Sequence, residues 1–130
     1  ELEIITGMPA AGPDDALAAA RRLVEGGVRR VIVTLGEKGS LYVDERGHLL
    51  ADPLPVSPVD TTGAGDAFIG GFAFYYLRTG DVGEAMRMAN RYAAISTMKR
   101  GTQSSFAPMD EFMRTLGGLE ASASAKKCSE

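Results

Sequence analysis

The segment Val59-Asp60-Thr61-Thr62-Gly63-Ala64-Gly65-Asp66-Ala67-Phe68 places a glycine-rich turn directly ahead of an apolar run. Small residues let backbone N–H groups converge. At a helix N-terminus those groups are unsatisfied donors and, with the helix dipole, they attract a phosphate or a developing anion. Asp66 falls in the first turn of the helix. No charged residue follows it until Arg78, so its carboxylate enters a stretch otherwise built for burial, where an unpaired charge is costly. Two readings of Asp66 stand. It caps the helix or complements its dipole, or it takes the proton of an attacking hydroxyl while the adjacent donors hold a transferring phosphoryl group. The convergent donors favour the second.

Two familiar glycine motifs are excluded. A dinucleotide fingerprint needs a third glycine where Phe68 stands, and nothing in the chain matches G-x-x-x-x-G-K-[ST]. A second glycine-rich turn, Thr34-Leu35-Gly36-Glu37-Lys38-Gly39, ends the β-branched run Val31 to Leu35. The C-terminal end of such a strand is a usual place for a ligand in an open α/β sheet. Gly70 and Gly71 each cost roughly 1 kcal/mol of helix propensity, which close helix packing would explain.

The elements that must position these groups can be read from periodicity. Pro13 to Glu25 is a helix with Ala16, Leu17, Ala20, Leu23 and Val24 on one face, Pro13 at its first position, and Gly26 and Gly27 as its stop. Val31 to Leu35 has the character of a strand buried on both faces. Ser40 to Val43, His48 to Ala51 and Leu54 to Ser57 are short extended candidates. From Asp60-Thr61-Thr62-Gly63 the chain turns helical through about Leu77 and reads as a buried helix. The next helix opens with Asp81 and Glu84 as a capping pair, and Ala85, Met86, Met88, Ala89, Tyr92, Ala93, Ile95 and Ser96 supply its packing face. Lys99 to Pro108 is a polar loop. Met109 to Leu116 is a short helix with Phe112, Met113 and Leu116 turned inward, and residues 117–130 form a flexible tail.

Composition sets the class. The chain has 130 residues, 45% of them hydrophobic, 24% charged, with a formal net charge of -3. That suffices for one core and leaves no footprint for nucleic acid or an anionic membrane. The apolar stretch from Ala67 to Leu77 is too short to span a bilayer. The lone Cys128 builds neither a disulfide framework nor a metal site, and no signal peptide is visible, so a cytoplasmic, reducing setting is expected. His48 reads as a surface imidazole and Cys128 as a tail thiol.

The segment Asp60 to Phe68 resembles the second signature of the ribokinase family of PfkB-type carbohydrate kinases. The likeness extends in order from Glu1 and Thr6-Gly7 through Thr34 to Gly39, and on to Gly101-Thr102-Gln103-Ser104-Ser105. It covers residues 1–116 as the C-terminal nucleotide-binding and catalytic part of a ribokinase-like domain. The implied fold is α/β, the C-terminal part of a three-layer α/β/α sandwich.

By that resemblance Asp66 is the catalytic base and contacts the substrate, and the N–H groups of Gly63, Ala64 and Gly65 form the anion hole. ATP would meet Thr34, Leu35, Gly36, Glu37, Lys38, Gly39, Gly65 and Asn90. A monovalent cation, K⁺, would lie among Asp60, Thr62, Ser96, Lys99, Gly101 and Ser105, several contributing only carbonyls. It would add positive charge and fix the turn that presents the donors. Plainer roles exist for each: Ser96 as a packed helix residue, Lys99 as an end-of-helix cation, Asp60 as a turn former. Glu1 matches the Glu of an N-x-x-E motif that helps hold Mg²⁺, although the Asn three residues earlier is not in this sequence.

The implied activity is ATP-dependent phosphorylation of a pentose primary hydroxyl, D-ribose first, with adenosine or another sugar as alternatives. A homodimer is implied for the complete form. Family members carry a large N-terminal part with the first strands and the sugar lid. The expectation is therefore a partial chain with exposed sheet edges and an unfinished core. The rival from another class is a non-catalytic nucleotide-binding module.

Overall fold

The computed structural model describes residues 1–128 of the 130, and side-chain surroundings as far as Ser124. In chain order the elements are α1 (Leu2–Thr6), α2 (Pro13–Glu25), β1 (Arg30–Thr34), β2 (Ser40–Asp44), β3 (Gly47–Ala51), α3 (Ala64–Thr79), α4 (Val82–Ser96) and α5 (Met109–Cys128). Single 3-10 turns follow β1 at Gly36–Lys38 and precede α5 at Gln103–Ser105.

The strands form one antiparallel sheet in the order β1-β2-β3, with Val33 opposite Leu41 and Leu41 opposite Leu50. Alternation along β2 sends Leu41 and Val43 to one face, where they join Ala16 and Ala20 of α2 in a core cluster. The other face meets α3 and α4. Arg30 donates to Tyr76 Oη of α3 at 3.4 Å, and Leu49 Cδ2 would stand 3.2 Å from a Cβ added at Gly83 of α4. The sheet is thus sandwiched between an α1/α2 layer and an α3/α4 layer.

Close packing does explain Gly71. A Cβ there would lie 3.3 Å from Ala89 Cα and 3.4 Å from Tyr92 Cβ, so a side chain would push α3 and α4 apart. Gly70 meets nothing within 4 Å, and no feature of the structure explains it. Behind α4 a second cluster gathers Ile95, Ala107, Phe112 and Leu116, with the Tyr92 and Phe112 rings edge to face at 5.2 Å. The capping pair of α4 forms as expected, Asp81 Oδ1 accepting from Glu84 N–H at 2.8 Å.

Several expectations are corrected. Leu54 to Ser57 forms no strand, because Pro53, Pro55 and Pro58 remove the N–H donors a ladder needs. β1 is half-buried rather than buried on both faces, because it is an edge strand bonded only to β2. α3 buries only Ala67, Phe68 and Gly71, while Ile69 and Leu77 are 66% and 84% exposed. α4 covers one side of α3 and leaves its other apolar face open. Met113 is exposed although Phe112 and Leu116 turn inward.

The helix expected to end at Leu116 continues to Cys128, where a flexible tail was anticipated. Ala, Glu, Leu and Lys after Gly118 are strong helix formers, Leu119 packs on the second cluster, and Arg91 Nε donates to Glu120 at 3.0 Å. The Cys128 thiol lies outside the described side chains. Among the described residues no helix is long and apolar enough to cross a membrane.

Candidate active site

The glycine-rich turn delivers the chain into α3 through Gly63, whose φ of 81° lies in the left-handed region. A Cβ there would also come within 3.2 Å of Thr102 Cγ2. No side chain caps α3. Ala64 N–H donates to Thr61 O at 3.2 Å, whereas the N–H groups of Gly63 and Gly65 donate to no other group among the described residues. Two of the three expected anion-hole donors are therefore free, and the third is engaged in a long bond.

Asp66 is exposed, which corrects the expectation of a carboxylate drawn into a buried stretch. It sits one residue before the buried pair Ala67 and Phe68, on the open side of α3.

Two clefts meet at this helix terminus. The first, about 700 Å³, is lined by Thr34, Gly36, Glu37, Lys38, Gly39, Thr61, Ala64, Gly65, Asn90, Ala93, Thr97 and the proline-rich strap of residues 53–58. It brings together every residue expected to meet ATP except Leu35, which faces the second cleft. That one, about 880 Å³, is lined by Glu1, Glu3, the edge of β1, Gly65, Asp66, Ile69 and Phe72 among others. Thr34, Glu37, Lys38, Gly65 and Phe68 line both. Gly65 thus stands at the junction with Asp66 on one side of it, and among the described residues Lys38 is the only Lys or Arg lining either cleft.

The far wall of the first cleft is held by Asn90, which is buried on α4. Its Nδ2 donates to Ala51 O at 2.9 Å and to Asp52 O at 3.1 Å, tying the end of β3 to α4. Gly39 completes the wall, since a Cβ there would fall 2.1 Å from Ala51 O. Sequence reasoning missed the strap, Thr61, Ala93 and Thr97. The signals were three prolines in six residues just before the glycine turn, and Thr97 one and two turns beyond Ala93 and Asn90.

The expected cation set is brought together in part. Asp60 Oδ1 accepts from Thr62 N–H at 3.0 Å and Oδ2 from Gly101 N–H at 3.0 Å. These bonds, that from Gly101 first, hold the Asp60 carboxyl down to about 2. Val59 and Asp60 N–H both donate to Thr97 O, at 2.7 and 3.0 Å, fixing the turn to the end of α4. Ser96 and Ser105 hydroxyls donate to Ala93 O and Thr102 O. Lys99 pairs with Glu111, which leaves only its carbonyl for the site. Glu1 precedes α1, exposed, on the same cleft as Asp66. No cluster of three His, Cys, Asp or Glu side chains able to hold a metal occurs among the described residues.

Residues 1–109 match the family described as pfkB family carbohydrate kinase. The chain belongs to this family. A pfkB-family relationship also accounts for the likeness to the deoxyribokinase of Salmonella typhimurium, 49% identical over 116 residues, which cover 89% of this chain and 38% of that protein. The ribokinase of Arabidopsis thaliana complexed with ribose and ATP superposes with a TM-score of 0.80 at 29% identity, over 87% of this chain and 37% of that one. Phosphofructokinase-2 of Escherichia coli in complex with potassium superposes with a TM-score of 0.76 at 28% identity, over 92% and 38%. The chain therefore spans little more than a third of the length of these pfkB-family relatives.

Proposed function

We propose that this chain is the phosphoryl-transfer part of an ATP-dependent pentose kinase. The observation that carries the reading is the junction of two clefts at the head of α3, with Gly65 lining both and Asp66 only the second. A donor nucleotide in the first cleft and a sugar hydroxyl in the second would meet there, at the positive end of the helix dipole.

Asp66 takes the proton of the attacking hydroxyl. The hydroxyl oxygen forms its bond to the γ-phosphorus as the bond from that phosphorus to the bridging oxygen of ADP breaks, and ADP leaves with the electron pair. Gly63 and Gly65 N–H groups hold the phosphoryl oxygens as charge spreads over them, with Ala64 joining by turning its N–H from Thr61.

Hard oxygens around the Asp60 turn fit a monovalent cation. The Asp60 carboxylate keeps lone pairs beyond its two N–H bonds, and the Ser96 and Ser105 hydroxyl oxygens keep theirs. Asp60, Thr62, Ser96, Gly101, Ser105 and the Lys99 carbonyl would hold K⁺, which when bound supplies positive charge behind the donors. Glu1 would help hold the Mg²⁺ that accompanies ATP. The 49% identity to a deoxyribokinase supports 2-deoxyribose as a candidate acceptor beside ribose.

The test is sugar-dependent ADP release with ribose, 2-deoxyribose, adenosine and fructose, in Mg²⁺ with K⁺ or Na⁺, for this chain and for the longest polypeptide that contains it. Pentose-dependent turnover stimulated by K⁺ supports the reading. Nucleotide binding with no turnover on any sugar replaces it with the non-catalytic binding module.

A further inference from the structure

We propose that Glu111 is a positioning residue for the cation site: it draws the Lys99 ammonium away from the oxygens around Asp60 and so keeps them open to K⁺. This rests on the cation reading above and adds a residue that supplies no oxygen to the site.

The loop that closes the Asp60 turn carries two consecutive cations, Lys99 and Arg100, immediately before Gly101. Gly101 N–H donates to Asp60 Oδ2 at 3.0 Å. That bond first, with the Arg100 charge adding to it, holds the Asp60 carboxyl down to about 2. Both cationic side chains therefore start from the rim of the site. A lysine ammonium is a compact monovalent cation on a flexible four-carbon stem. Beside hard oxygens suited to K⁺ it is at once a like charge and a competitor.

Glu111 removes that competitor. Its Oε1 pairs with Lys99 Nζ from the first turn of α5, so the side chain is held while the Lys99 carbonyl stays with the donor set. The next residue fixes where the carboxylate stands. Phe112 is wholly buried with Ile95, Ala107 and Leu116, and its N–H donates to Pro108 O at 2.9 Å. Tyr92 Oη donates to Ala107 O at 3.0 Å, tying the same corner to α4. α5 thus presents Glu111 from an anchored base. Asp110, on the same turn, faces Arg114 instead, at 3.5 Å. Among the described residues Glu111 is the only acid paired with Lys99. The two side chains are 51% and 39% exposed, which sets the expected effect at about two- to fivefold, the range of an exposed ion pair.

The experiment follows Tm of the full chain against K⁺ concentration, with tetramethylammonium holding ionic strength constant, so that the rise in Tm gives the K⁺ Kd without any turnover. Glu111→Gln should raise that Kd about two- to fivefold. Lys99→Met keeps the carbonyl and removes the ammonium. Alone it should leave the Kd at or below the wild-type value, and in the Glu111→Gln background it should restore that value. A pair that only braces α5 would lower Tm by the same amount at every K⁺ concentration and leave the Kd unchanged, which overturns the proposal. A weaker K⁺ site in Lys99→Met alone, or an equal effect of Glu111→Gln with the ammonium absent, overturns it as well. No dependence of Tm on K⁺ in the unaltered chain overturns the cation reading itself, and the role of Glu111 with it.

Discussion

Asp60 and Gly101, far apart in sequence, are joined by a 3.0 Å hydrogen bond from the Gly101 N–H to the Asp60 carboxylate. The same carboxylate holds Thr62, so one side chain fastens the glycine turn to the loop that follows α4. Its folded-state pKa, about 2, lies below the ordinary 3.8. The ionised carboxylate therefore stabilises the fold above pH 3.8, and that contribution is lost as pH falls through about 2. Thermal unfolding between pH 2 and 7 should show this acid loss in the wild type. Asp60→Asn should lower Tm at pH 7 and flatten the profile below pH 4.

Gly65→Ala separates binding from folding. Open space surrounds the site of the added methyl, and Ala in place of Gly inside a helix gains about 0.5–1 kcal/mol. Tm should hold or rise while nucleotide affinity falls, because the methyl enters the junction of the two clefts. Calorimetry and a nucleotide titration on the same sample check both. Unchanged affinity would remove Gly65 from the anion hole.

At Gly39 the reverse is expected. Its φ is 89° and a Cβ would meet Ala51 O at 2.1 Å, so Gly39→Ala combines a left-handed penalty of roughly 1–2 kcal/mol with a backbone clash. Tm should drop clearly, and nucleotide binding with it, since the clash displaces the Ala51 carbonyl that Asn90 grips.

Asp66→Asn should leave nucleotide affinity intact and cut sugar-dependent ADP release by at least the roughly 10²–10⁴-fold expected for a general base. Single-turnover kinetics on the longest active form measures it. Undiminished turnover would make Asp66 a dipole partner only.

Asp81→Ala removes the oxygen that accepts Glu84 N–H at 2.8 Å, at a cost of about 1 kcal/mol. Denaturant unfolding should show the shift, with the cleft residues of α4 still in place and nucleotide binding retained by the folded fraction.

The local elements were largely legible in the sequence. α2 with Pro13 first, the β2–β3 hairpin, the Asp81 cap and the head of α3 at Gly63 each depend on neighbours a few residues away, and short-range rules describe them. The strap was misread for an identifiable reason: Leu54 and Val56 alternate as in a strand, but the prolines between them withhold the N–H groups that pairing needs. The end of α5 was missed because Leu119 and Glu120 find their partners on α4, across the chain.

By itself the sequence determined the chemistry on offer: small residues and a carboxylate at the head of an apolar helix, a second glycine turn after a strand, and the family both belong to. Only the tertiary structure decided how these groups are used. It set Asp66 in the open rather than in the core, turned both amide protons of Asn90 toward Ala51 and Asp52, tied Asp60 to Gly101, and placed Gly65 where two clefts meet. Each of these depends on contacts between segments some forty residues apart or on which face of a helix is left uncovered. Short-range periodicity records which face is apolar, but not what lies opposite it.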